Sequence, residues 1–161
     1  PHGAPRLVDI TTNLSAVVAS ADIGWKLTLV QTGEKTLAES RTFQNDIYFT
    51  SFEPSEISTD PATCSSKFGI NRLYVLAAAT GRPVRNFDVS TPENASTSDR
   101  WKELKQRGTI APEAIFVFPT PDTGPGQPPR VDPVCLIGLE NCGSGLTNPP
   151  VRTYWEQRGA N

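Results

Sequence analysis

The 161 residues include no methionine, one histidine and three cysteines, and the scarcity of the last two removes classes of function. His2 is the only imidazole and sits at a chain end, so a Ser/His or Cys/His site has no base to hold beside its nucleophile. Zinc needs four ligands, usually with cysteines about two to four residues apart, and three scattered cysteines with one histidine do not offer that set. No apolar run approaches the roughly 18 residues that read as a membrane-spanning helix. Charge is thin as well. Charged residues make up 20% of the chain, and a net charge of −2 gives no electrostatic case for nucleic acid or an anionic membrane surface. The lack of methionine, with Pro1 in first place, leads us to expect a mature, cleaved or excised segment.

Turn formers and short alternating runs are what the chain does have. Proline and glycine number 15 and 12, and they punctuate stretches of period-two patterning. At 71–78, Leu73, Val75 and Ala77 point to one face and Tyr74, Leu76 and Ala78 to the other. Gly81 then supplies the positive φ that closes a hairpin into 83–87. Upstream, 24–30 alternates with Trp25, Leu27 and Leu29 on one side. Residues 37–43 and 46–52 form a hairpin about Gln44 and Asn45, and 114–118, 134–139 and 151–155 read as further strands. Residues 53–70 and the proline-rich 119–133 read as surface loops. One helix is expected over 97–107. Ser96 with Asp99 fits a capping box, Thr97 and Ser98 are equal candidates for the cap, Trp101, Leu104 and Lys105 make a narrow seam, and Gly108 is placed to stop it.

A strand, an Ala-Thr-Gly turn and a second strand is how one blade of a repeat-built propeller is written. The fold expected is therefore all-β: antiparallel sheets as blades of a degenerate or partial β-propeller, with one short helix. Blade-like units fall at about 24–88 and 113–157.

Cysteine usage leans towards an oxidising compartment. Cys135 and Cys142 flank the hexapeptide Leu-Ile-Gly-Leu-Glu-Asn, and a hairpin there can close them into a disulfide; buried thiols are the alternative, and Cys64 is left over. Catalytic, cofactor and metal residues are not apparent. Glu53 and Glu56 are a carboxylate pair in a Pro/Ser loop, where solvated charge is the default. Gly124 and Gly126 have prolines beside them where phosphate-cradling N–H groups would be needed. The strand aromatics Trp25, Tyr48, Phe49, Phe52, Tyr74, Phe87 and Trp155 read as packing, and Trp101, on an element foreign to a minimal blade, is the candidate for partner contact.

Several of these segments together resemble a known family. Gly24-Trp25, Gly-Glu-Lys-Thr-Leu-Ala at 33–38, Ile-Tyr-Phe-Thr-Ser-Phe-Glu-Pro at 47–54, the lone Cys64 and Arg-Leu-Tyr-Val-Leu-Ala-Ala-Ala-Thr-Gly at 72–81 are similar to the C-terminal end of PilY-type proteins. Gly-Thr-Ile-Ala-Pro at 108–112, Cys-Leu-Ile-Gly-Leu-Glu at 135–140 and Arg-Thr-Tyr-Trp at 152–155 extend the likeness, which covers about residues 7–157. These are large type IV pilus tip and biogenesis proteins of Gram-negative bacteria. The resemblance implies a modified β-propeller, exported to the pilus tip, cell surface or periplasm, acting in pilus assembly, retraction control and adhesion. It implies minor pilins as partners, and host or abiotic surfaces as further ones. It also implies a calcium site in an Asp/Asn-rich loop, but no such run occurs here and Asp122, Asp132 and Glu140 are too scattered to replace it. Calcium is expected elsewhere in the full-length protein. The chain also departs from quinoprotein-like blades, which favour Asp at the position of Ala77 and Trp near Arg85 or Asn86. The alternatives are a fragment of a quinoprotein-like propeller enzyme and a secreted β binding domain of unknown ligand. Quinone binding would require a full ring of blades and usually an adjacent cysteine pair, and Cys135 and Cys142 are not adjacent.

Overall fold

A computed structural model describes residues 6–54, 68–92, 96–106, 109–118 and 133–143. The chain opens with β1 (Leu7–Asp9) and β2 (Gly24–Lys26), a parallel pair whose crossover is supplied by residues 10–23. Every other ladder among the described residues is antiparallel. Strands β3 (Lys35–Thr36) and β4 (Arg41–Phe43) both pair with β5 (Asp46–Glu53), which pairs with β6 (Ile70–Ala77) and through it with β7 (Trp101–Glu103). A second sheet joins β8 (Ile115–Val117), β9 (Val134–Ile137) and β10 (Glu140–Asn141) in the order β10-β9-β8. Among the described residues no helix is long and apolar enough to cross a membrane.

The longest ladder sets both faces. Strands β5 and β6 run together for eight residue pairs, from Asp46 opposite Ala77 to Glu53 opposite Ile70. Strand side chains alternate, so Tyr48, Leu73 and Val75 leave one face and Phe49, Arg72 and Tyr74 leave the other. The first face packs against the second sheet, where Tyr48, Leu73, Val75, Leu104, Ala111, Ala114, Cys135, Ile137 and Cys142 form one buried cluster. Phe43 stacks on Phe116 at 4.5 Å and Tyr48 meets Phe116 edge-on at 5.0 Å, so aromatic contacts close the layer. Asn71 fixes how the second sheet is approached. Its fully buried amide donates to the carbonyls of Gln106 (3.0 Å) and Thr109 (2.7 Å) and accepts from the Ala111 N–H (3.1 Å).

Two turns have the chemistry their sequences imply. Gln44 and Asn45 both adopt positive φ, 51° and 66°, between β4 and β5. Gly81 has φ +64°, and a Cβ there would lie 2.1 Å from Ile10 Cδ1, so backbone freedom and close approach both require glycine. The hairpin beyond it is shorter than expected. Ala77 N–H donates to the Arg82 carbonyl and Leu76 bridges Pro83, but 84–87 adds no strand.

The helix expected over 97–107 is corrected to one 3-10 turn, Thr97–Arg100, followed directly by β7. The capping box is present, with Ser96 accepting from Ser98 N–H and Asp99 reaching back. Tertiary pairing overrides its continuation. The edge of β6 at 72–74 needs hydrogen-bond partners, and Trp101, Lys102 and Glu103 supply them. Leu104 then turns into the core, donating its N–H to the Asn71 carbonyl at 2.9 Å. The strand proposed for 24–30 pairs only through Lys26. Of the loop expected over 53–70, Glu53 instead ends β5 and Ile70 opens β6, while 55–67 with Cys64, 119–132 of the loop expected over 119–133 and the strand at 151–155 lie outside the described residues.

Cys135 and Cys142 are bonded, with Cα atoms 5.3 Å apart across the β9–β10 hairpin, and both are buried. Replacing both by alanine should lower unfolding stability by ~2 kcal/mol in denaturant titrations. Thiol counting on denatured, unreduced protein should find no more than the one thiol of Cys64, and three thiols would contradict the pairing.

Candidate functional site

The face of β5 and β6 turned away from the core carries charge. Arg72 stands between Ser51 on β5 and Glu103 on β7 by strand register. Its guanidinium bonds Glu53 Oε2 at 2.6 Å, lies 3.5 Å from Glu34 Oε1 and 3.9 Å from Glu103 Oε1, and sits over the Trp101 ring at 5.1 Å. Glu34 arrives from the turn before β3 and its side chain is wholly buried. Ser51 Oγ (2.5 Å) and the Tyr74 hydroxyl (3.0 Å) both donate to its Oε1. Among the described residues, Glu34 Oε2 and Arg72 Nε and Nη1 have no hydrogen-bond partner.

These environments shift the titrating groups. Burial first, and then the Glu34 charge, push the Tyr74 phenol above its ordinary range, so it stays protonated and able to donate. Burial works against the Arg72 cation, but the Glu53 hydrogen bond and the Glu34 charge outweigh it and raise its pKa. The charges of this cluster are thus spent on one another. Glu53 is bound to Arg72 rather than solvated, and Glu56 lies outside the described residues.

Beside the cluster the same face opens into a groove of about 470 Å³ with a mixed lining, in which Trp25, Leu27, Leu29, Ile47 and Phe49 alternate with the polar Lys26, Thr36 and Ser40. Phe49 stacks on Tyr74 at 4.8 Å and so joins groove to cluster. Trp25 is fixed by its indole N–H, which donates to the Ala78 carbonyl at 2.8 Å. The alternation of Trp25, Leu27 and Leu29 is kept along the groove wall, although the ladder itself ends at Lys26.

Trp101, the candidate partner contact, is half-buried in β7 with its ring under Arg72. The sequence reading missed the Glu34–Arg72 pair. An arginine inside an apolar strand was a visible signal, because it must face away from Leu73 and Val75, but nothing local pointed to Glu34, 38 positions earlier (72 − 34). Among the described residues no three His, Cys, Asp or Glu side chains converge on a metal-sized site. Compared with protein-family models, curated proteins and solved structures, the chain finds no match in any of the three.

Removing Arg72 leaves a buried carboxylate unneutralised, so Arg72→Met should cost ~3–5 kcal/mol. The double variant Arg72→Met/Glu34→Gln should recover much of that, because no orphan charge remains. Equal losses in denaturant titrations of the two would show that the pair is not coupled.

A pH prediction follows from the surrounding acids. Hydrogen bonds from Thr11 and then Lys26 hold Asp9 down to about 2, those from Ser90 and Ser98 lower Asp88, and Arg41 lowers Glu113. Depressed carboxylates contribute stability above their unfolded values and lose it as pH falls through the folded ones. Asp46 is opposite in sign: burial raises it against the pull of Arg85, so its contribution is present below 3.8 and lost as pH rises. Asp88→Asn should therefore be less stable than wild type at neutral pH, with the gap closing in acid. Asp46→Asn should be at least as stable as wild type at neutral pH, as checked by melts across the pH range.

Proposed function

We propose that the chain is a non-catalytic, protein-contact module of an exported, type IV pilus-associated protein, the role that its resemblance to PilY-type proteins implies. The observation that carries the reading is the apolar surface left open on a rigid β scaffold. In the second sheet Ile115 faces Leu136 and Val117 faces Val134 by register, and Ile115, Val117 and Val134 are 54%, 44% and 38% exposed. Leu139 is fully exposed in the β9–β10 turn, and the groove of Trp25 and Phe49 opens on the other sheet. Contiguous apolar surface of this kind marks interaction sites in soluble proteins. The Cys135–Cys142 bond supports an oxidising compartment, as export requires. The engagement of Glu34, Glu53 and Tyr74 with their neighbours supports a structural use of the charged cluster rather than proton transfer.

Minor pilins are the partners this reading names. Calcium, in the same reading, acts elsewhere in the full-length protein. Placing Ile115→Lys and Val117→Lys together in the full-length protein should leave its level normal, since both side chains are solvent-facing, while piliation and twitching fall. Normal piliation and twitching at wild-type protein level would remove this sheet face from the contact and with it the support for the reading.

A further inference from the structure

Arg100 is an unusual charge to bury. It is only 2% exposed, yet the acceptors it meets are carbonyls: Nη1 donates to Thr11 at 2.9 Å and Nη2 to Asn13 at 3.4 Å. Its Nε has no partner among the described residues. Nearby carboxylates are committed elsewhere. Asp99 accepts from the Asp88 and Ser96 N–H groups, Asp88 accepts from Ser90 and Ser98, Asp9 holds Lys26, and Asp22 holds Arg6. A buried cation without a counter-charge is costly, and proteins normally pair it. Burial accordingly lowers the Arg100 pKa.

The loop whose carbonyls Arg100 grips continues directly into a small surface pocket of about 270 Å³, lined by Leu14, Ser15, Arg82 and Pro83. Arg82 is a second guanidinium with no carboxylate partner among the described residues, and its backbone is fixed by the Ala77 N–H bond and by the bridge between Leu76 and Pro83. Two arginines without a carboxylate partner among the described residues thus approach one loop, Arg100 from its buried side and Arg82 from the pocket, in a chain whose net charge is negative. Guanidinium forks match oxyanions in shape as well as in charge. We propose that this pocket binds a small oxyanion, a carboxylate or phosphate, with Arg82 and the Ser15 hydroxyl as direct contacts and Arg100 supplying the buried positive charge behind them.

The test uses the full chain with inorganic phosphate, acetate and chloride at matched ionic strength, read by NMR shifts of the Leu14, Ser15 and Arg82 amides and by thermal melts. Phosphate or acetate should shift those amides saturably and raise the melting temperature, and chloride should do neither. Tighter acetate binding identifies a carboxylate, as on a partner's acidic side chain, and tighter phosphate binding a phosphoryl group. Arg82→Gln, at an exposed position, should weaken binding by about tenfold or more without altering the anion-free melt. Equal responses in wild type and Arg82→Gln would overturn the proposal.

Discussion

The pairing of β5 with β6 is the constraint on which the remaining structure depends. Because strand side chains alternate, a slip of one residue would drive Arg72 and Tyr74 into the apolar layer and turn Leu73 and Val75 outward. Both sides of the ladder guard against that slip. On one, Tyr48, Leu73 and Val75 find the second sheet; on the other, Arg72 finds Glu34, Glu53 and Trp101. Asn71, immediately before Arg72, is placed by the same register to hold the segment leading to β8, and Thr50 hydroxyl contacts to the Ala111 and Pro112 carbonyls reinforce that hold.

The two faces do different physical work. Burial of apolar area provides the driving force on the core side, roughly 25 cal/mol per Å² removed from water. On the opposite side a buried ion pair gives back in desolvation much of what it gains in attraction. What the Glu34–Arg72 pair contributes is discrimination, since alternative registers would strand a charge. The charged face is also the one left with an open groove of mixed polar and apolar lining along it, so the scaffold is packed on one side and open on the other. That division suits a contact module, in which side chains need to be held still rather than to exchange protons.

How much could be read from residues alone follows from the range of each interaction. The strands β5 and β6, the Gln44-Asn45 turn, the glycine at 81 and the Cys135–Cys142 pair are written in local patterns, and the structure has them all. Residues 97–107 carry a true capping box, but the chain leaves the helix after Arg100 because the open edge of β6 is a better partner than a further turn. Trp101 and Leu104 lie three apart with Lys102 and Glu103 between them, a helical spacing, so the strand here is dictated by the β6 edge and not by local pattern. The parallel pairing of β1 with β2 and the Glu34–Arg72 contact are non-local, and no short window contains them. The groove of Trp25 and Phe49 is likewise assembled from segments that meet only in the fold.

Native-state hydrogen exchange on the full chain tests the central claim most directly. If the β5–β6 ladder organises the structure, its amides should be the last to exchange, opening together and only with global unfolding, while those of β1 and β2 exchange through smaller openings. Amides of β5 and β6 that exchange as readily as those of β1 and β2, or faster than those of β8 and β9, would contradict the account.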